Sequence, residues 1–125
     1  MALPELRVAI ADDDEIVRLT LSHLLGRSAD IRLVAAVDDG AAAVTLAQTG
    51  DVDVLILDLE MPGMHGWDAL RMIRAVAPSV KVVIHSSRPA SQYEAQMLRE
   101  GASAYLEKPC SLPRLLIAIR KAASD

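Results

Sequence analysis

Val54-Leu55-Ile56-Leu57 runs directly into Asp58, and then into the turn Glu60-Met61-Pro62-Gly63-Met64-His65-Gly66. Four apolar residues with no polar interruption suit a central strand covered on both faces, as in a parallel sheet. The acid stands where that strand ends, and Pro and Gly close a tight turn behind it. Lys81–Ser86 repeats the signal with Val82-Val83-Ile84. Three further short runs, Leu6–Ala11, Ile31–Val37 and Ala104–Glu107, complete five strand candidates.

Helical spacing fills the gaps between these runs. Ile16, Val17, Thr20, Leu21, Leu24 and Leu25 form one apolar stripe, Ala69, Leu70, Ile73 and Ala77 a second, and Leu112, Leu115, Leu116, Ile119 and Ala123 a third. Gly40–Gln48 reads as an Ala-rich helix closed by Gly50, and Gly101 closes a helix around Ser91–Glu100. The last has the weakest stripe, mainly Ala95, Met97 and Leu98. Alternating strands and helices imply an α/β fold, a doubly wound parallel (βα)5 sheet with helices on both faces, hence a three-layer sandwich. In such a sheet ligands bind beyond the carboxyl ends of the strands, where the strand order reverses.

The whole chain bounds what the site can be. Its 125 residues fit one domain, expected to span 1–125 with no second domain, and 52% hydrophobic residues supply a core. Aromatics are only 2%, so that core is aliphatic. The net charge is −4 and no Lys/Arg cluster is present, which argues against direct nucleic-acid binding. Cys110 is the single cysteine, so no intrachain disulfide forms. Residues 1–7 lack the apolar stretch of a leader, and no run reaches the roughly 18 apolar residues of a membrane span. The expectation is a cytoplasmic protein without a membrane anchor.

The strand ends carry the chemistry. Asp12, Asp13 and Asp14 follow the first strand, Asp58 the third, Ser86-Ser87 the fourth and Lys108-Pro109 the fifth. Parallel strands bring these groups to one edge. Clustered carboxylates repel one another unless a cation joins them, and oxygen-only ligands favour Mg²⁺ or Mn²⁺. A carboxylate is also a nucleophile toward phosphorus, forming an aspartyl phosphate. Lys108 and the Ser86 hydroxyl are suited to neutralise and hydrogen-bond phosphoryl oxygens.

Taken in order and spacing, these motifs resemble the receiver domain of two-component response regulators over nearly the whole chain. The matching residues are Val8-Ala9-Ile10-Ala11-Asp12-Asp13 with Arg18, Leu55-Ile56-Leu57-Asp58 with Met61-Pro62-Gly63-Met64 and Gly66, Ser86, Gly101-Ala102-Ser103-Ala104-Tyr105, and Lys108-Pro109. The resemblance implies a flavodoxin-like sheet in strand order 2-1-3-4-5 and a phosphoacceptor role for Asp58. It implies metal binding by Asp13, Asp12, Asp58 and the Glu60 backbone carbonyl. Lys108 becomes the phosphate-contacting lysine, Ser86 and Tyr105 the switch pair, and Lys108–Pro109 a cis peptide. It further implies a histidine kinase or histidine phosphotransfer protein as donor, and a downstream effector or fused output domain as receiver of the signal. Catalysis would be confined to the chain's own phosphorylation and dephosphorylation, with no independent substrate. Tyr105 is expected to move inward on phosphorylation, changing the face of helix 4, strand 5 and helix 5. Dimerisation through that face is left open.

Three positions depart from the family pattern: His65 in place of the usual acid, Cys110 where an aromatic is frequent, and Ser87 where smaller residues are common. Each site residue also has an ordinary reading. Asp14 suits a helix cap, Asp58 alone suits a turn, and Lys108 alone suits a solvated surface charge. His85 reads as a packed strand histidine, His23 as a helix-face residue and Trp67 as packing near the site loop. Glu60 and Arg88 are expected to pair across the site mouth and modulate water access. A phosphatase of the haloacid-dehalogenase type is the rival enzyme reading, through Asp12-x-Asp14, but it leaves Asp58 without a role.

Overall fold

The computed structural model describes residues 5–125, so residues 1–4 of the segment read for a leader lie outside the described residues. Strands β1 (Leu6–Ala11), β2 (Ile31–Val37), β3 (Val54–Leu57), β4 (Lys81–Ser86) and β5 (Ala104–Glu107) alternate with helices α1 (Glu15–Leu25), α2 (Gly40–Ala47), α3 (Gly66–Val76), α4 (Ala90–Arg99) and α5 (Leu112–Ser124). The five strands form one parallel sheet in the order β2-β1-β3-β4-β5. This is the expected order, and the sequence reversal falls beside β1, between β1 and β3.

Alternation along each strand divides the core into two layers. Ala9, Ala11, Leu55, Leu57, Val82, Ile84 and Tyr105 pack with α2, α3 and α4 on one face. Val8, Ile10, Val54, Ile56, Val83 and Leu106 pack with α1 and α5 on the other. All four residues of β3 are buried, as the uninterrupted apolar run requires. Among the described residues no helix is long and apolar enough to cross a membrane.

Two helices, α2 at its end and α4 at both ends, differ by a residue from the sequence reading. α2 stops at Ala47, with Gln48 as its cap. α4 begins at Ala90 because Glu107, at the end of β5, accepts a hydrogen bond from the Ala90 backbone N–H at 2.7 Å, in place of a local cap. Only Met97 of α4 is buried, while Leu98 stays 43% exposed. The anticipated α4 stripe is therefore a single anchor.

Register fixes the working edge. Ala11 pairs with Leu57 and Leu57 with Ile84. The next residues, Asp12, Asp58 and His85, thus stand at one level, with His85 still inside β4. Ser86 pairs with Glu107, and the Lys108 N–H donates to the Ser86 carbonyl at 2.7 Å. The Lys108–Pro109 peptide is cis.

Candidate functional site

Asp12 is held before its side chain does anything else. Its N–H donates to Val37, Arg18 Nη1 donates to its carbonyl at 2.7 Å, and its Oδ1 accepts from the Asp14 N–H at 2.9 Å. Asp14 itself caps α1, accepting from the Ile16 and Val17 N–H groups. Its carboxylate is therefore engaged at the helix terminus, which takes the second acid of Asp12-x-Asp14 out of the site that the phosphatase reading needs. Capping of this kind satisfies backbone donors that a helix start leaves open.

Asp58 hangs from β3, with its N–H donating to Ala11 and its Oδ1 accepting from the Glu60 N–H at 3.2 Å. The turn behind it depends on Gly66. A Cβ there would sit 2.1 Å from the Asp58 carbonyl oxygen and 2.5 Å from the Leu59 Cα. In the sequence Gly66 is only a motif letter; its reason is this backbone-on-backbone contact beneath Asp58.

Carboxylate oxygens of Asp12, Asp13 and Asp58 lie within 4.8 Å of one another. Asp12 and Asp58 are buried, whereas Asp13 is exposed. Lys108 Nζ reaches across from β5, donating to Asp12 Oδ2 at 2.8 Å and to Asp58 Oδ2 at 3.2 Å. Three carboxylates thus face one ammonium. Burial raises the Asp58 pKa to about 6, with Lys108 opposing the rise. Burial works against the Lys108 ammonium too, but its bond to Asp12 and the charge of Asp58 outweigh that and hold its pKa above the ordinary value. An all-oxygen cluster with surplus negative charge and an exposed member fits a hard divalent cation. The residues that would hold it are Asp12, Asp13 and Asp58.

Ser86 is fully buried, and its Oγ accepts from the Arg88 N–H at 3.1 Å. Tyr105 is only 6% exposed, and its hydroxyl donates to the Arg88 carbonyl at 2.9 Å. The anticipated inward movement of Tyr105 therefore has no starting point here: the ring is already inward, because the Arg88 carbonyl gives its hydroxyl a partner there. Arg88 Nε lies 2.5 Å from Glu60 Oε1, the pairing expected across the mouth. The Nε–H does not point along that contact, so it is a charge contact rather than an aligned hydrogen bond.

His85 is buried as a strand histidine, and its Nδ1 has no hydrogen-bond partner. Burial, reinforced by the Lys108 charge, lowers its pKa to about 4 and keeps it neutral. His23 is exposed in the last turn of α1. Cys110 is half-buried beside the β5–α5 loop. The sequence reading missed the contact between Trp67 and Tyr93, whose rings stack at 6.4 Å and 10°. No sequence spacing links α3 to α4, so only the scarcity of aromatics pointed to these two residues.

Residues 8–120 match the family model described as the response regulator receiver domain. A protein-glutamate methylesterase/protein-glutamine glutaminase of Azospirillum brasilense is 39% identical over 107 residues, which are 84% of this chain and 27% of that protein. The chain spans about half or less of the length of the curated relatives it matches. Among solved structures, the response regulator domain of Thermotoga maritima CheB superposes with a TM-score of 0.89 at 31% identity, covering 97% of this chain and 98% of that one. The receiver domain of a sensor histidine kinase from Pseudomonas aeruginosa, solved with a magnesium ion in its active site cleft, has a TM-score of 0.81 at 25% identity, covering 97% and 99%.

Proposed function

The chain belongs to the response regulator receiver domain family, and we propose that it accepts a phosphoryl group on Asp58 and passes the change to the face of α4, β5 and α5. The observation that carries this reading is the buried Asp58 carboxylate, placed between Lys108 Nζ and the Asp12–Asp13 carboxylates. That arrangement opposes folding electrostatics and serves charge neutralisation of a phosphoryl group.

The donor is a phosphohistidine on a histidine kinase or histidine phosphotransfer protein. As the Asp58 oxygen bonds to phosphorus, the P–N bond breaks and the imidazole leaves. Mg²⁺, the ion in the Pseudomonas neighbour's cleft, supplies positive charge against the incoming phosphoryl oxygens when held by Asp12, Asp13, Asp58 and the Glu60 carbonyl. Lys108 shares its ammonium between Asp12 and Asp58 and shifts to the phosphoryl oxygens. Ser86 donates its hydroxyl to another oxygen, and its Oγ gives up the Arg88 N–H. Because Tyr105 is held by the Arg88 carbonyl, a shift of the Ser86–Arg88 segment moves the tyrosine with it. Phosphorylation then biases a two-state element.

The chain catalyses its own loading and hydrolysis, and signals to a downstream protein or an attached output domain. The test is incubation with Mg²⁺ and acetyl phosphate followed by intact mass, beside Asp58→Asn. The expected result is a base-labile gain of one phosphoryl group, absent from the variant. A gain that persists in Asp58→Asn would move the acceptor elsewhere.

A further inference from the structure

The chain holds one tryptophan, two tyrosines and no phenylalanine, and all three rings sit on one flank of the site. Trp67 is in the first turn of α3, Tyr93 in the first turn of α4, and Tyr105 on β5. Trp67 stacks on Tyr93, and His65 extends the stack from the β3–α3 loop at 5.4 Å and 30°. At the other end the Arg88 guanidinium lies 5.5 Å from the Tyr93 ring centroid, and its Nη1 donates to the Tyr93 hydroxyl at 3.1 Å. His65 and Arg88 both line the recess at the site mouth, about 300 Å³, together with Asp13, Glu60, Met61 and Pro62. The stack therefore begins and ends on the rim of the same recess.

That closure matters because the Glu60–Arg88 contact is weak by itself. The two side chains are 52% and 39% exposed, and exposed pairs of long side chains hold one geometry poorly. A planar guanidinium over an aromatic ring, with a hydrogen bond to that ring's hydroxyl, removes most of the alternative positions. Trp67 in turn backs the ring that Arg88 rests on.

We propose that Trp67 and Tyr93 are positioning residues that hold Arg88 across the site mouth and thereby slow the approach of water to phosphorylated Asp58. The inference rests on the phosphoacceptor reading above. Hydrolysis forms a bond from the water oxygen to phosphorus, breaks the bond from phosphorus to the Asp58 oxygen, and releases inorganic phosphate. The surplus water proton goes to the phosphate or to solvent. Arg88 and Glu60 narrow the path of that water; the ring stack keeps them there.

The experiment loads the full chain with Mg²⁺ and acetyl phosphate, removes the donor, and follows loss of the phosphoryl group by intact mass. Arg88→Ala, Tyr93→Leu and Trp67→Leu should each shorten the lifetime by about twofold to tenfold. Tyr93→Leu combined with Arg88→Ala should be no faster than Arg88→Ala alone, since both act through one group. Tyr93→Phe, which keeps the ring and loses the hydroxyl, should fall between wild type and Tyr93→Leu. It also serves as the readout if Tyr93→Leu does not fold. Multiplying effects in the double variant, or unmoved lifetimes in both ring variants, would overturn the proposal alone. A wild-type chain that takes up no phosphoryl group would overturn the phosphoacceptor reading and this inference with it.

Discussion

The two ends of the sheet use the same residue types to opposite effect. At the amino end, Arg7 forks onto Asp53 with contacts of 3.0 and 3.2 Å, and Arg120 forks onto Asp30 at 2.7 and 3.0 Å. Each acid there has its own base, in solvent-accessible positions. At the carboxyl end Asp12 and Asp58 share Lys108 with Asp13 beside them, and His85 is buried with an unpartnered Nδ1. Matched exposed pairs ask little of the fold and return little. Buried, unbalanced charge raises the energy of the folded state, so its presence marks a candidate functional site.

The sharpest break in this comparison comes from one glycine at each end. Gly66→Ala would drive a Cβ to 2.1 Å from the Asp58 carbonyl oxygen and 2.5 Å from the Leu59 Cα, both backbone atoms. A loss of about 3 kcal/mol is expected, read as a fall in urea midpoint, with metal binding weakened alongside because Asp58 must move. Gly50 at the amino end has φ +81°, and a Cβ there would meet nothing within 4 Å. Gly50→Ala meets only the left-handed backbone penalty of about 1 kcal/mol. Equal losses at both ends would erase the distinction.

Next in size is the charge surplus itself. With its pKa raised to about 6 by burial, ionised Asp58 destabilises the fold above that pH. Asp58→Asn should therefore stabilise the metal-free protein at pH 8 by about 1–3 kcal/mol. Mg²⁺ should raise the melting temperature of wild type by binding the native state, and raise that of Asp58→Asn less. A destabilised Asp58→Asn would mean that Lys108 already balances the site.

Much of this was legible in the residues, for identifiable reasons. The five strand bounds were readable because each strand is an apolar run ended by a charged, hydroxyl or turn residue, and β3 is buried on both faces. The site was readable because parallel strands deliver their terminal residues to one edge, so Asp12, Asp58, Ser86 and Lys108 had to converge. Contacts between elements were not readable. That Glu107 of β5 caps α4, that Gly66 lies on the Asp58 carbonyl, and that Trp67 meets Tyr93 depend on how helices settle on the sheet. The inward Tyr105 was missed because its partner is a backbone carbonyl, Arg88, which side-chain identity does not announce.

A third test sets two groups of the carboxyl end against each other. Asp58 has a folded pKa of about 6 against 3.8 in the unfolded chain, so its contribution to stability falls as pH rises through that window. His85 has a folded pKa of about 4 against 6.5, so its contribution falls as pH drops from 6.5 to 4. Between pH 4 and 6 the slopes oppose. Urea titrations should show a shallow wild-type profile there. Asp58→Asn should show stability falling steadily with acidification, and His85→Leu should show it rising. Parallel profiles for the two variants would refute the assignment of opposite signs.

The smallest effect is expected at the amino end, where the pairing looks best. The Arg7 hydrogen bonds hold the Asp53 carboxyl below its ordinary pKa, and Asp53 Oδ2 also accepts the Arg7 backbone N–H at 2.8 Å. The side chains are 39% and 34% exposed, so water and salt screen what the fork gains. Arg7→Ala should lower stability by a small fraction of the change seen at Gly66 or Asp58, and less still in high salt. Asp53→Ala should cost more than Arg7→Ala, because it also strips the Arg7 N–H of its acceptor, which is a main-chain loss that salt does not weaken. A double-mutant cycle at low and high salt separates the two contributions. If the Arg7–Asp53 coupling rivalled the Asp58→Asn change, the amino end would be the electrostatic keystone of the fold, and the contrast between the two ends would fail.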